Sequence, residues 1–81
     1  MLDAGTAVKN RVIELCRERG LSLNRLGMIS GVSQSTINNI VSGRNRSTTV
    51  TTVKKLCDGL GITLGEFFST KEFDALEQEL I

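Results

Sequence analysis

The chain has 81 residues, 40% of them hydrophobic, a formal net charge of +1, and no Pro, Trp, Tyr or His. That length allows a single domain with a limited core, the size at which a partner subunit often adds stability. No run of about 18 apolar residues is present and the N-terminal stretch lacks the basic and apolar regions of a secretory signal, so a soluble cytoplasmic protein with no membrane partner is expected.

The predicted elements are all helices. Residues 6–19 place Val8, Val12, Leu15 and Cys16 at helical spacing, with Ile13 widening the stripe. Thr6 is placed to cap this helix and Gly20 to end it in a left-handed conformation. Ser22 caps a second, short helix to about Ile29. Gly31 supplies a tight turn, Val32 plugs the corner, and Ser33 caps a third helix to about Val41, closed by Gly43. In that third helix Ile37 and Ile40 face inward. After a polar loop at 44–50, a fourth helix from about Thr51 to Leu60 carries Val53, Leu56, Cys57 and Leu60 on its inner stripe and ends at Gly59 or Gly61. Thr63 and Glu66 have the spacing of a capping box at the start of a fifth helix. Residues 71–81 are amphipathic, with Phe73, Leu76 and Leu80 at i, i+3 and i+7. No segment alternates as a strand does. Cys16 and Cys57 lack a metal-ligand spacing and are expected to be buried free thiols; no metal and no cofactor is expected. With no His, no activated Cys setting and no clustered acids, the chain does not read as an enzyme.

The net charge conceals an asymmetry. Residues 1–57 carry nine Lys and Arg against three acids, residues 58–81 one against six, and no acid falls between Glu18 and Asp58. A surface that meets a polyanion needs such an acid-free block, because each carboxylate would repel phosphates. Within it, the third helix turns Gln34, Ser35, Asn38 and Asn39 outward. These side chains can hydrogen-bond the edges of DNA bases, Gln and Asn in bidentate fashion with adenine.

Leu26, Gly27, Gly31, Val32, Ser33, Ile37, Ile40 and Gly43, together with LCDGLGITLGEFF at 56–68, resemble the phage repressor and Cro type helix-turn-helix family, often called XRE-like. The resemblance covers residues 7–68. It implies an all-α, five-helix repressor-like DNA-binding domain at 1–70, followed by a short C-terminal amphipathic helix at 71–81 that dimerises or packs in cis. It also implies sequence-specific binding of double-stranded DNA by a homodimer on an inverted repeat, with regulation of transcription, by repression in the simplest case. An antitoxin that also binds a toxin, or a protein-interaction helical domain, is the alternative.

By carry-over, Gln34, Ser35, Thr36 and Asn39 are the candidate base readers, Thr36 through its methyl. Ser22, Arg25, Ser33, Asn38, Arg44, Asn45 and Arg46 are the candidate phosphate contacts. Phe67, Phe68, Phe73, Leu76 and Leu80 are the candidate dimer surface, unless the tail folds back on the first helix of its own chain. Two departures from the family stand out. Leu23 occupies a position where many members carry Gln. Cys16 and Val41 stand where many members bury an Arg–Glu pair, so they are expected to be neighbours in an apolar core.

Overall fold

The computed structural model describes residues 3–42 and 48–76. They form α1 (Ala4–Arg19), α2 (Leu23–Ser30), α3 (Gln34–Val41), α4 (Val50–Leu60), α5 (Leu64–Phe67) and α6 (Lys71–Asp74), with no strand among the described residues. α2 lies along α4, and α1 packs on α3.

A short phrase of sequence punctuates the chain three times. Gly20-Leu21-Ser22, Gly31-Val32-Ser33 and Gly61-Ile62-Thr63 each stop one helix, plug the core and start the next. The glycines have φ of 62°, 68° and 73°, a region where a side chain is strained. The apolar residue that follows donates its N–H five residues back, Leu21 to Cys16, Val32 to Gly27 and Ile62 to Cys57, at 2.9–3.0 Å. This is the Schellman closure, which satisfies carbonyls left over at a helix end. Each plug packs on the core, Val32 most deeply. The hydroxyl that comes next accepts a backbone N–H in the first turn of the new helix.

Two starts differ from the sequence expectation. α1 is capped by Asp3, whose Oδ1 accepts from Thr6 N at 2.7 Å, so Thr6 lies inside the first turn. Both residues are competent caps, and the extended backbone at Asp3 decides between them. α4 starts at Val50 behind Thr49, one residue earlier than expected. Its end is settled at Gly61; Gly59 stays helical for a packing reason given below.

The core joins Val8, Val12, Leu15 and Cys16 of α1 to Leu26, Val32, Ile37 and Ile40 around the turn, and to Val53, Leu56, Cys57, Leu60 and Phe67. Cys16 and Cys57 are free and buried, and burial pushes both thiols up from their ordinary range. Val41 packs against the same cluster that contains Cys16, and so does Leu23.

The tail differs from the expectation of one amphipathic helix over 71–81. α6 ends at Asp74, and Thr70 makes no side-chain cap bond to it. α6 lies against α1, where Asn10 Nδ2 donates to Glu72 Oε1 at 3.3 Å. α6 thus contacts α1 of its own chain, while Leu80 and the rest of the tail lie outside the described residues.

Candidate nucleic-acid interface

The face in question is built by α2, the turn and α3. Ile37 and Ile40 are buried to 0% and 2% exposure, which fixes the rotation of α3 about its axis. Ser35, Asn38 and Asn39, at i, i+3 and i+4, then share the opposite, exposed side. Neither a carboxylate nor a large side chain interrupts it. Thr36 is half-buried, and its hydroxyl is occupied: Ser33 Oγ donates to Thr36 Oγ1 at 3.0 Å and accepts Thr36 N at 3.2 Å. The same pairing of hydroxyls recurs at the start of α4 between Thr49 and Thr52, 2.9 Å apart.

Ser33 therefore serves α3 as its cap. Ser22 is similar: exposed, with its Oγ accepting Arg25 N at 3.0 Å. Arg25 is exposed and forms no ion pair among the described residues. Lys54 and Lys55 are exposed on α4, and Lys54 is paired with Asp58. Arg44, Asn45 and Arg46 lie outside the described residues, as does Gly43.

Gln34 departs from its expected pose. It is half-buried, and its Nε2 donates to the Asn24 carbonyl at 3.1 Å, back across the first turn of α2. The contact is possible because residue 27 is Gly. A Cβ there would land on Gln34 Nε2 and lie 2.9 Å from the Val32 carbonyl oxygen. The sequence places Gly27 among the motif residues but does not reveal Asn24 as a partner of Gln34. The readable signal was a glycine in mid-helix with a long amide seven residues on.

The candidate dimer residues separate. Phe67 is 0% exposed within its own chain's core and has no face to give a partner. That corrects its assignment to an interface, and the reason is local: the ring is covered by Phe68 and Phe73, at centroid distances of 4.9 and 6.1 Å. Phe68 is 37% exposed, and Phe73 and Leu76 are half-buried.

Arg11 was not singled out by the sequence reading. Its Nε and Nη2 donate to the Phe67 and Glu66 carbonyls, both at 2.8 Å, and its Nη1 to Glu14. It ties the end of α5 to α1. A separation of 55 residues hid this in the sequence. At the other end of α5 the capping box is complete: Thr63 N donates to Glu66 Oε1 at 2.8 Å, and Glu66 N to Thr63 Oγ1 at 3.0 Å. Bonds from the Thr63 backbone and hydroxyl hold the Glu66 carboxyl below its usual range.

Residues 12–67 match the family model described as Helix-turn-helix. The chain belongs to the helix-turn-helix family, in its Cro and repressor (XRE-like) type. This is a family of DNA-binding transcription regulators. The chain is 36% identical over 72 residues to the HTH-type transcriptional regulator PuuR of Escherichia coli and, equally, to that of Shigella flexneri. The match covers 89% of this chain but 38% of each PuuR, so the chain spans about two fifths of the length of these curated relatives. The crystal structure of the prophage Lp1 protein 11 superposes with a TM-score of 0.84 at 33% identity, covering 94% of this chain and 100% of that one. In the family's terms α2 and α3 are the two helices of the motif, and Gly31 makes the turn between them.

Proposed function

We propose that this helix-turn-helix domain binds double-stranded DNA in a sequence-specific manner, as a homodimer on an inverted repeat, and acts as a transcriptional repressor. The observation that carries this is the exposed, acid-free Ser35–Asn38–Asn39 side of α3, held in rotation by the buried Ile37 and Ile40. In this motif the start of the second helix enters the major groove, where Ser and Asn can match base-edge donors and acceptors. Ser35 and Asn39 read bases, with the Thr36 methyl against a thymine. Asn38, Arg25 and the N-termini behind Ser22 and Ser33 hold the phosphate backbone, and Arg44, Asn45 and Arg46 extend that contact. The regulator names of the PuuR relatives support the regulatory part of the reading.

A single reading helix supplies too few contacts for useful discrimination in a genome. Two-fold pairing sets two such helices about 34 Å apart. Phe68, Phe73 and Leu76, with Leu80, are the surface proposed for it. The test is selection of bound duplexes from a random pool, followed by titration at several salt concentrations. Asn39→Ala should lose preference at one or two adjacent base pairs. Arg44→Ala should weaken all duplexes alike and lower the salt slope by about 1. A wild-type chain that retains no duplex at low salt removes the DNA reading altogether. One that binds a single half-site as tightly as two removes the dimer.

A further inference from the structure

Gln34 is the first residue of α3, and its outward register made it a candidate reader. Three observations point elsewhere. Its amide donates to the Asn24 carbonyl, in the first turn of α2. The side chain lies in the notch left by Gly27, where even a methyl group would displace it. It is half-buried, while Ser35, Asn38 and Asn39 beside it are exposed. Leu23, at the start of α2, is turned to the core and brings no amide of its own to this corner.

From these we infer that Gln34 is a positioning residue: seated over Gly27 and bonded to Asn24, it sets how the first turn of α3 leaves the turn, and base discrimination is left to Ser35 and Asn39. The inference rests on the DNA-binding reading above. The bond to the Asn24 carbonyl takes one of the amide's two N–H groups and draws the amide toward α2, which works against the paired donor and acceptor contact that adenine recognition requires. What it supplies is pre-organisation. A helix end that must be ordered on binding lowers affinity for every site by a similar factor and leaves the choice among sites unchanged.

The experiment has two arms. In the first, duplex selection and titration are run on the wild type, Gln34→Ala, Gln34→Met and Asn39→Ala, each well below its unfolding midpoint. Both Gln34 variants should select the same sequence as the wild type and bind every duplex roughly 3- to 10-fold more weakly, the cost of ordering one long side chain or a short turn. Asn39→Ala should instead flatten preference at its own base pairs. Loss of preference at one base pair in the Gln34 variants would make Gln34 a reader. Unchanged affinity would make it a purely structural residue. Either result overturns the proposal.

The second arm needs no DNA. Gly27→Ala is compared by thermal unfolding in the wild-type and Gln34→Ala backgrounds. Because the added methyl meets the Gln34 amide, its cost should be smaller where that amide is gone. Equal costs would show that Gln34 does not sit in the notch. Failure of the wild type to bind any duplex would overturn the DNA reading, and with it the role assigned to Gln34 in binding. The second arm would then separate that failure from a failure of the seat itself.

Discussion

Between α2 and α4 a close approach is made by residues with almost no side chain. Gly59 faces Ser30 so closely that a Cβ would land on the Ser30 hydroxyl and lie 3.0 Å from its Cα, and in the neighbouring α2–α3 corner Gly27 makes room for Gln34 in the same way. Between α1 and the α5–α6 segment large side chains meet, Phe67 in the shared core and Arg11 reaching across from α1. Within that segment three phenyl rings stack edge to face or tilted, and Arg11 of α1, its side chain 14% exposed, clasps two of its carbonyls. The first kind of contact tolerates no addition; the second tolerates no removal. The difference suits what each side carries. Large interdigitating side chains contribute buried area and hence stability. Close backbone contact defines the position of one helix against another.

The contrast can be broken most forcefully at the aromatic corner. Phe67→Ala empties a fully buried site, and large-to-small changes of this kind cost about 3–5 kcal/mol. In a domain of this size that lowers the unfolding midpoint by roughly 4–8 °C per kcal/mol. Thermal unfolding followed by far-ultraviolet dichroism measures it. A loss below 1 kcal/mol would mean that this corner does not hold the fold.

At the α2–α4 seam the test is an addition. Gly59→Ala gains about 1 kcal/mol of helix propensity, yet it should destabilise on balance, by about 1–3 kcal/mol, because the methyl meets backbone as well as the hydroxyl. Ser30→Ala in that background should recover part of the loss. On its own it should be neutral or stabilising, since Ser30 Oγ is buried without a hydrogen-bond partner among the described residues. If Gly59→Ala raises the midpoint, the seam is not as tight as its geometry.

The smallest effect belongs to an exposed capping carboxyl that itself takes part in neither seam. The Glu66 carboxyl is held below its usual range by its bonds to Thr63, so the unfolded chain takes up a proton at higher pH than the folded one does. The stability it adds is therefore present above the ordinary carboxylate pKa and fades as pH falls through the lower folded value. Glu66→Gln should lie slightly below the wild type near neutral pH, and the two midpoints should converge at acid pH. A constant gap across the titration would show that the charge is immaterial.

The residues that govern local events were legible in the sequence, and those that act across the chain were not. Gly20, Gly31 and Thr63 did what their chemistry prescribes, because stopping and starting a helix depends on a few neighbouring backbone groups. The inward stripe of α3, and so its outward side, followed from Ile37 and Ile40. Asp3 was passed over for Thr6 because two competent caps three residues apart cannot be ranked without the path of the backbone. Arg11 and Gln34 look like ordinary polar surface until α5 and α2 are brought to them. Phe67, placed on a partner by its hydrophobicity, is claimed by the chain's own core instead. In a small domain an aromatic ring is worth more inside, and its neighbours at 68 and 73 are there to cover it.

The clustering of the phenyl rings also has an optical consequence. Phe67, Phe68 and Phe73 are all the aromatic residues the chain possesses, with no Trp or Tyr, and its cysteines are unpaired. Near-ultraviolet dichroism therefore originates in one corner of the molecule, from rings 4.8–6.1 Å apart, and the α2–α3 face is silent in it. The docking of α6 on α1 has its own unlabelled spectrum. A dilution series in that band would register any pairing that engages Phe68 and Phe73 without a probe being attached to the chain.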